Sequence, residues 1–197
     1  MSPARLRDAL LSRVGSVHDT AVAGVSAGPA VRLADGSARH FDAVVVAAGA
    51  WSGPLLDAAG LRTKKIQYTV YADRVAGLGA FVDETTGLYG RPGAGGTLLL
   101  GLPTDEWDVN PGEVRADPAL AARVSATARE RLGRAPGPAL RTVASFDCYA
   151  DGGLALRPVA GGLFSFTGGS GGAAKTALAA SRRAADTLLH LSPTPSA

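Results

Sequence analysis

Hydrophobic positions follow helical spacing near both ends of the chain and a strand-like pattern between them. Residues 3–13 place apolar side chains at helical spacing, which predicts a short amphipathic helix. Residues 173–191 form an alanine-rich run that predicts a long helix. A further helix is predicted within 117–133, where an Asp-Pro pair suits the start and a glycine suits the end.

Strand signals differ between the ends and the middle of the chain. Valines 44–46 form a continuous run that ends in small residues, as expected for a strand buried on both faces of a parallel sheet. Residues 66–71 alternate apolar and polar, which predicts a half-buried antiparallel strand. The Ala-Asp-Gly-Ser turn at 34–37 predicts a hairpin. Other short strands are predicted over 17–25, 30–33, 78–82, 87–89, 97–102, 140–149 and 163–167.

These elements predict a fold of the α/β plus α+β class. Residues 1–62 and 150–191 are expected to form one lobe of α/β character, into which residues 63–149 are inserted as an antiparallel lobe. Residues 192–197, which contain two prolines, are expected to form a flexible tail.

Composition narrows the class of protein. The 20 Lys and Arg are scattered and nearly balanced by 17 Asp and Glu, so nucleic acid is not an expected partner. A single cysteine and three distant histidines predict neither a disulfide nor a metal site. No apolar run is long enough to cross a bilayer or to form a secretory leader, so we expect no membrane contact and a cytoplasmic location.

Small residues follow the valine strand, at Ala48, Gly49 and Ala50, before Trp51. Ligands of α/β sheets bind beyond the carboxyl ends of strands, and small residues there let the backbone approach a ligand closely. The alternative is that these residues only pack a strand against a helix.

A second junction follows the predicted strand 163–167. Gly168, Gly169, Ser170, Gly171 and Gly172 lead directly into the long helix. Free N–H groups and the positive end of a helix dipole attract anions or developing negative charge. The alternative is a flexible turn before a surface helix.

Five segments in order resemble the D-amino-acid oxidase and sarcosine oxidase family of FAD-dependent flavoproteins. They are HFDAVVVAAGAWSG at 40–53, GLYGRP at 87–92, WDVNP at 107–111, YADG at 149–152 and TGGSGGAAK at 167–175. The resemblance implies a partial Rossmann-like FAD-binding lobe at 1–62 and 150–191, with an antiparallel substrate lobe at 63–149.

The resemblance also implies FAD as cofactor and oxidation of a carbon–nitrogen bond in a small amine or amino acid. The glycine turn and its helix would face the flavin pyrimidine, where reduction places negative charge. FAD would supply the redox chemistry while the protein orients and tunes it. The residues implied to contact the cofactor are Ala48, Gly49, Ala50, Trp51, Cys148, Gly168, Gly169, Ser170, Gly171, Gly172 and Lys175.

Individual side chains have competing interpretations. Lys175 is either a contact for flavin or a substrate carboxylate, or a solvated surface lysine. Arg91 could bind a carboxylate with its planar guanidinium, or be an exposed turn arginine. Tyr149 either lines the substrate site or is a strand aromatic. Cys148 lies near the position where some family members attach flavin covalently, but a lone cysteine is often a small apolar residue.

The chain departs from the family pattern in two ways. No G-x-G-x-x-G motif occurs, so the loop that binds the FAD pyrophosphate is missing from these residues. The lysine thought to activate oxygen in sarcosine-oxidase-like members would fall near Leu99. We therefore expect weak or absent FAD binding by this chain alone. Two alternatives remain. The chain is either a truncated or split-enzyme subunit, which a partner subunit or a homo-oligomer would complete, or a flavin-free binding or assembly protein.

Overall fold

A computed structural model describes residues 3–56 and 60–191, so the predicted tail at 192–197 lies outside the described residues. The chain divides into two compact units. The first unit contains the residues up to Leu61 and from Cys148 onward, and the second spans Arg62–Asp147.

The described elements are runs of strands separated by helices. In chain order they are α1 (Pro3–Leu11), β1 (Val22–Ser26), β2 (Ala30–Leu33), β3 (Ala38–His40), β4 (Val44–Val46), a 3-10 helix (Gly49–Trp51), α2 (Ser52–Leu56), β5 (Leu61–Tyr71), β6 (Phe81–Val82), β7 (Tyr89–Pro92), β8 (Leu98–Gly101), α3 (Pro118–Leu132), β9 (Ala139–Ala150), β10 (Ala155–Ala160), β11 (Leu163–Thr167) and α4 (Ala173–Leu191).

The first unit contains two three-stranded sheets. One has the antiparallel order β1-β2-β3, and its β2–β3 turn confirms the predicted hairpin at 34–37. Asp35 stabilises this turn, because one carboxylate oxygen accepts bonds from both the amide and the hydroxyl of Ser37. These bonds, the hydroxyl first, lower the pKa of Asp35.

The other sheet has the order β10-β11-β4, and β4 runs parallel to β11. The predicted parallel strand is therefore confirmed. The expectation that it is buried on both faces is wrong, because Val44 and Val46 are buried while Val45 is 39% exposed. β4 is an edge strand among the described residues, with β11 as its one strand neighbour there.

The second unit is a five-stranded sheet with the order β6-β7-β8-β5-β9. β5 and β8 are antiparallel, as the alternation at 66–71 predicts. The buried face of β5 carries polar residues, however: Lys65, Gln67 and Thr69 are buried. Each has a partner, since Lys65 pairs with Glu106, Gln67 with the Asp117 backbone and Thr69 with Thr142. Hydrogen bonding makes this burial tolerable.

Helix α3 covers an apolar core in the second unit. Its Val124 and Ala128 pack with Leu88 and Leu100, and these side chains are almost completely buried. Asp117 caps the helix by accepting a 2.8 Å bond from the Ala119 amide. Pro118 begins it, and Gly133 ends it with a φ of 69°. The predicted helix and both of its end signals are confirmed.

Several strands differ in extent from the sequence prediction. The structure shortens the predicted strands 78–82 and 97–102 to β6 and β8, and it shifts the predicted strand 87–89 to β7 at 89–92. It also starts β1 at Val22 instead of residue 17. The sequence analysis missed β10, because Pro158 and the flanking glycines weaken its strand signal. Within residues 3–56 and 60–191, no helix has the length and apolar character needed to cross a membrane.

Candidate functional site

The two glycine-rich junctions meet in the first unit. Because β4 and β11 are parallel neighbours, their carboxyl ends lie at the same edge of the sheet. The Thr167 hydroxyl, at the end of β11, donates a 3.3 Å bond to the Gly49 carbonyl just beyond β4. The same hydroxyl lies 3.5 Å from the Cys148 sulfur. Thr167 therefore links both junctions to the end of β9.

The glycine turn has a defined backbone conformation. Gly168 and Ser170 adopt left-handed conformations, with φ of 94° and 54°. A left-handed serine is uncommon and carries a conformational cost. The Ser170 amide donates a 2.9 Å bond to the Cys148 carbonyl, and the Gly172 amide donates to the Ser170 hydroxyl at 3.3 Å. These contacts favour an ordered turn over a flexible one.

The end of β9 supports the turn from the side. Ala150 donates its amide to the Gly168 carbonyl at 3.3 Å, and Tyr149 forms an antiparallel bridge with Gly169. The structure thus brings the predicted site residues Cys148 and Tyr149 next to the glycine turn.

Packing within the chain explains some of the glycines. A Cβ at Gly168 would overlap Ala150, and a Cβ at Gly169 would lie 2.5 Å from that of Ala173. By contrast, Gly49 has no atom within 4 Å of such a Cβ, and Gly172 has only the Ser170 hydroxyl at 3.8 Å. At Gly49 and Gly172, neighbouring atoms of the described chain therefore leave room for a Cβ.

Helix α4 begins directly after the turn. Its 19 residues place the positive end of a helix dipole at Ala173. Lys175 is exposed in the first helical turn, and its amide donates to the Gly172 carbonyl at 3.1 Å. A mobile cationic side chain and a helix N-terminus at the same edge would both favour a negatively charged group.

The segment after β4 combines exposed and buried side chains. Within the 3-10 helix, Trp51 is 56% exposed, whereas Ala50 is buried. Ser52 is completely buried, and its hydroxyl has no hydrogen-bond partner among the described residues. Leaving a buried hydroxyl unpaired costs about 1–3 kcal/mol. A polar atom from outside the described residues would remove this cost.

A largely apolar cavity of about 770 Å³ adjoins both junctions. Ala47, at the end of β4, and Ala174, in the first turn of α4, contribute to its wall. Helix α1 and the residues just after it supply the rest of the lining, through Leu6, Arg7, Leu10, Leu11 and Val14. Such a cavity can accept apolar side chains or one face of a flat ligand.

Arg91 belongs to the second unit, where it is exposed on β7 and donates to the Pro92 carbonyl at 3.3 Å. Its neighbour Tyr89 donates to the Gln67 carbonyl at 2.8 Å. Burial, with smaller effects from Asp147 and Tyr68, raises the pKa of Tyr89 to about 12. Tyr89 is therefore a neutral hydrogen-bond donor at neutral pH.

The WDVNP segment has a structural role in the second unit. The Trp107 ring has the Arg62 guanidinium 4.7 Å and the Lys64 ammonium 4.8 Å from its centroid. Arg62 also binds both carboxylate oxygens of Asp108, which lowers the pKa of Asp108 and raises that of Arg62. These contacts hold the segment beside β5.

Sequence reasoning missed three residues near the junctions. Thr167 and Ser52 lie inside the segments that resemble the family. The sequence alone does not show what a hydroxyl side chain contacts, so neither residue was predicted. Arg157 lies on the missed strand β10 and contacts four backbone carbonyls. In the part of the chain that the structure describes, no group of three or more His, Cys, Asp or Glu residues could hold a metal ion.

Comparison with known proteins gives one family match and several similar folds. The family model described as FAD dependent oxidoreductase matches residues 4–187. No curated protein sequence matches the chain.

Solved structures of oxidases resemble the fold. Glycine oxidase from Bacillus cereus ATCC 14579 has 18% identity and a TM-score of 0.72, with 96% of this chain and 55% of that chain covered. Glycine oxidase from Geobacillus kaustophilus has 20% identity and a TM-score of 0.69, with coverage of 89% and 49%. Iminodiacetate oxidase from Chelativorans sp. BNC1 has 19% identity and a TM-score of 0.63, with coverage of 98% and 54%.

The chain thus spans about half the length of these solved structures. At such identities they indicate the fold alone, and their mixed α/β architecture agrees with the predicted fold class. The family match extends over nearly the whole chain, including both junctions. The chain therefore belongs to the FAD dependent oxidoreductase family, as the five sequence segments predict.

Proposed function

We propose that this chain forms the flavin-facing and substrate-facing part of an enzyme that oxidises a carbon–nitrogen bond in amines or amino acids. The observation that carries the proposal is the joining of the two glycine-rich junctions by Thr167 at one sheet edge. The family match supports FAD as the cofactor. The names glycine oxidase and iminodiacetate oxidase support small amino acids or related amines as the substrate class.

The residues at this edge fit the flavin end of FAD. Gly49 and Gly172 leave open space beside the backbone, and the buried Ser52 hydroxyl lacks a partner among the described residues. The start of α4 would face the pyrimidine part of the ring. The sequence contains no G-x-G-x-x-G motif, so it does not fit the ADP end in the same way.

FAD, when bound, would accept a hydride from the carbon next to the substrate nitrogen. The amides at the end of the glycine turn and the α4 dipole would stabilise negative charge that develops beside them. Lys175 would add a mobile positive charge at the same place, or contact a substrate carboxylate. Tyr149, next to Gly169, would line the site. Cys148 has Thr167 as its hydrogen-bonding neighbour, and we propose a non-covalent contact for it.

Arg91 on β7 and Leu99 on β8 bear on substrate binding and on the choice of electron acceptor. Arg91 is exposed and has only a backbone acceptor, so its guanidinium could bind a carboxylate. Leu99, opposite Arg91 in the β7–β8 pair, stands near the position of the family's oxygen-activating lysine. We therefore propose that an electron acceptor other than oxygen takes the electrons.

We further propose that a nucleotide-binding segment outside these 197 residues completes the site. The edge of β4, the lining of the apolar cavity and one side of α4 form a surface suited to it. Leu10 and Leu11 of α1, Val14 just after it and Leu178 of α4 are each about half exposed. Contiguous exposed apolar groups at an open sheet edge favour association. A strand added beside β4 would cover these groups, whether it comes from the same polypeptide, a partner subunit or a second copy.

The flavin proposal is tested by adding FAD to the chain alone and to the chain with a separately produced nucleotide-binding segment. We expect weak binding by the chain alone and a bound flavin spectrum in the complete assembly. Gly172→Val should weaken FAD binding in that assembly by at least about tenfold. A Cβ at Gly172 meets only ordinary contact within the described chain, so a loss of affinity without a loss of stability would come from crowding of the ligand.

Gly79→Val in the second unit is the control, since no atom lies within 4 Å of a Cβ there. Both variants should melt close to the unaltered protein. Unchanged FAD affinity in Gly172→Val would refute this placement of the flavin. Tight, stoichiometric FAD in the chain alone would refute the need for a completing segment. Lys175→Met, which keeps length and removes charge, should reduce turnover or the affinity for a carboxylate substrate.

The association surface has a separate test. Leu10→Lys should reduce self-association, or capture of the completing segment, as measured by light scattering at several concentrations. Leu140→Lys is the matched control, because Leu140 is 58% exposed on β9 in the second unit. A monomer at every concentration that also fails to bind the completing segment would contradict the proposal.

A flavin-free binding or assembly role is the second candidate. The exposed apolar surface of α1 and α4 favours it, since that surface alone suffices for association. In that case Leu10→Lys should abolish assembly, while Gly172→Val and Lys175→Met should change nothing measurable.

A further inference from the structure

Among the described residues, Arg157 donates hydrogen bonds to four backbone carbonyls of the first unit. One guanidinium nitrogen donates to the carbonyls of Ala155 at 3.2 Å and Thr167 at 3.1 Å. The other donates to the carbonyls of Asp151 at 2.6 Å and Gly153 at 2.7 Å. A planar, multidentate donor is needed for such an arrangement, and lysine cannot reproduce it.

The four carbonyls come from segments that flank the candidate flavin site. Asp151 and Gly153 form the turn between β9 and β10, while Thr167 immediately precedes the glycine turn. Arg157 therefore joins the β9–β10 turn to the start of the glycine turn.

Both joined segments also contact the end of β9. The Gly153 amide donates to the Ala150 carbonyl at 3.0 Å, and the Ala150 amide donates to the Gly168 carbonyl at 3.3 Å. The Ser170 amide in turn donates to the Cys148 carbonyl. The glycine turn is thus hydrogen-bonded to the end of β9, and Arg157 binds the Thr167 carbonyl directly before the turn.

The positive charge of Arg157 has no acidic partner nearby. No carboxylate oxygen of the described residues lies within 4.0 Å of its guanidinium nitrogens, and the group is stabilised instead by the four backbone carbonyls that it contacts. Charged donors make stronger hydrogen bonds than neutral ones, which suits a side chain that fixes backbone.

We propose that Arg157 is the positioning residue of the glycine turn, fixing the direction in which the amides after Thr167 face the flavin. The flavin part of this inference rests on the function proposed above. Arg157 itself need not touch FAD or substrate.

The first test uses amide hydrogen exchange in the chain alone, with no flavin required. In Arg157→Gln, the amides of Ala150, Gly153 and Ser170 should exchange at least about tenfold faster than in the unaltered chain. Arg157→Lys, which keeps the charge but loses the planar fork, should show an intermediate increase. The Ser37 amide, which bonds to Asp35 in the separate β1-β2-β3 sheet, should exchange at its original rate.

The second test measures FAD affinity and the midpoint potential of bound FAD in the completed assembly. Arg157→Gln should weaken FAD binding by about tenfold or more and lower the midpoint potential, because misdirected amides stabilise the reduced flavin less. Arg32→Gln is the matched control, since Arg32 also donates to a backbone carbonyl, that of Ala23, in the first unit. It should change neither quantity.

The two tests separate failure of this inference from failure of the proposed function. Unchanged exchange at Ala150, Gly153 and Ser170 in both variants overturns the positioning role. Faster exchange with unaltered affinity and potential overturns its relevance to flavin. If the unaltered assembly binds no FAD, the proposed function fails, and the exchange measurement still decides whether Arg157 holds the turn. If Arg157→Gln does not fold, Arg157→Lys supplies both measurements.

Discussion

The two units of this chain differ in how completely they bury their helices. In the second unit, α3 presents Leu120, Val124 and Ala128 to a sheet, and all three are buried. In the first unit, the longer helix α4 has no buried residue among those described, and Leu178 and Leu189 are mostly exposed. Each unit has a buried apolar core, but α3 packs on the core of the second unit, whereas α4 leaves apolar surface that the described residues of the first unit do not cover.

The strands show the same contrast. β8 of the second unit has a neighbour on each side, and its Leu98 and Leu100 are almost fully buried. β4 of the first unit is an edge strand with one valine exposed. The unit that carries the glycine turn is thus the one with uncovered apolar surface among its described residues, which the proposed completing segment would cover.

The contrast is tested most strongly by truncating one leucine in each unit. Leu100→Ala should lower the free energy of unfolding by about 3–4 kcal/mol, because the side chain is fully buried. Leu178→Ala should change it by less than about 0.5 kcal/mol, because Leu178 is 54% exposed. Urea unfolding followed by tryptophan fluorescence measures both, since Trp51 and Trp107 report on different units. Equal losses for the two variants would remove the contrast.

The polar core of the second unit gives the next largest effect. Gln67→Leu should lower stability by about 2–3 kcal/mol, because it leaves the partly buried Asp117 amide without its Gln67 acceptor and removes one of the two donors to the Asp117 carbonyl. Asp117→Ala, which removes only the N-cap side chain, should lower it by about 1 kcal/mol. Denaturant midpoints provide the comparison, and a smaller loss for Gln67→Leu than for Asp117→Ala would contradict it.

In the first unit, alanine substitutions at two positions of the glycine turn should change stability by different amounts. Gly168→Ala should destabilise the chain by about 2 kcal/mol, because the residue is left-handed and its Cβ would overlap Ala150. Gly172→Ala should be nearly neutral, since its Cβ meets only the Ser170 hydroxyl at 3.8 Å. Thermal melts of the two variants test this, and equal shifts would show that the turn is not constrained as described.

The smallest effect concerns acid stability of the second unit. The Arg134 guanidinium, together with the Gly137 amide, lowers the pKa of Asp73. A lowered folded-state pKa stabilises the protein above the unfolded pKa of about 4, and this contribution is lost as pH falls through the folded value. Asp73→Asn should therefore lower stability near pH 7 by about 1 kcal/mol or less. The difference should disappear toward pH 2.

Asp186→Asn on α4 is the control for this measurement, because Asp186 makes no ion pair within the described residues. Denaturant unfolding at several pH values should show the curves of Asp73→Asn and the unaltered chain converging in acid. A constant difference at all pH values would mean that the substitution acts through packing instead of charge.

The sequence by itself determined the elements whose signals are local. The cap at Asp117, the glycine at the end of α3 and the turn at 34–37 all follow from neighbouring residues. The five segments also identified the family, because they preserve residue types in order over most of the chain. Such features need no knowledge of distant contacts.

Only the tertiary structure decided which side chains form hydrogen bonds around those elements. The polar face of β5 is buried because Asp117, Glu106 and Thr142, distant in sequence, supply its hydrogen-bond partners. Arg157 lies on a strand that pairs with β11, and only that pairing brings its guanidinium to the Thr167 carbonyl. Hydrogen bonds between residues far apart in the chain leave no periodic trace in the sequence, whereas caps and turns are made by adjacent residues.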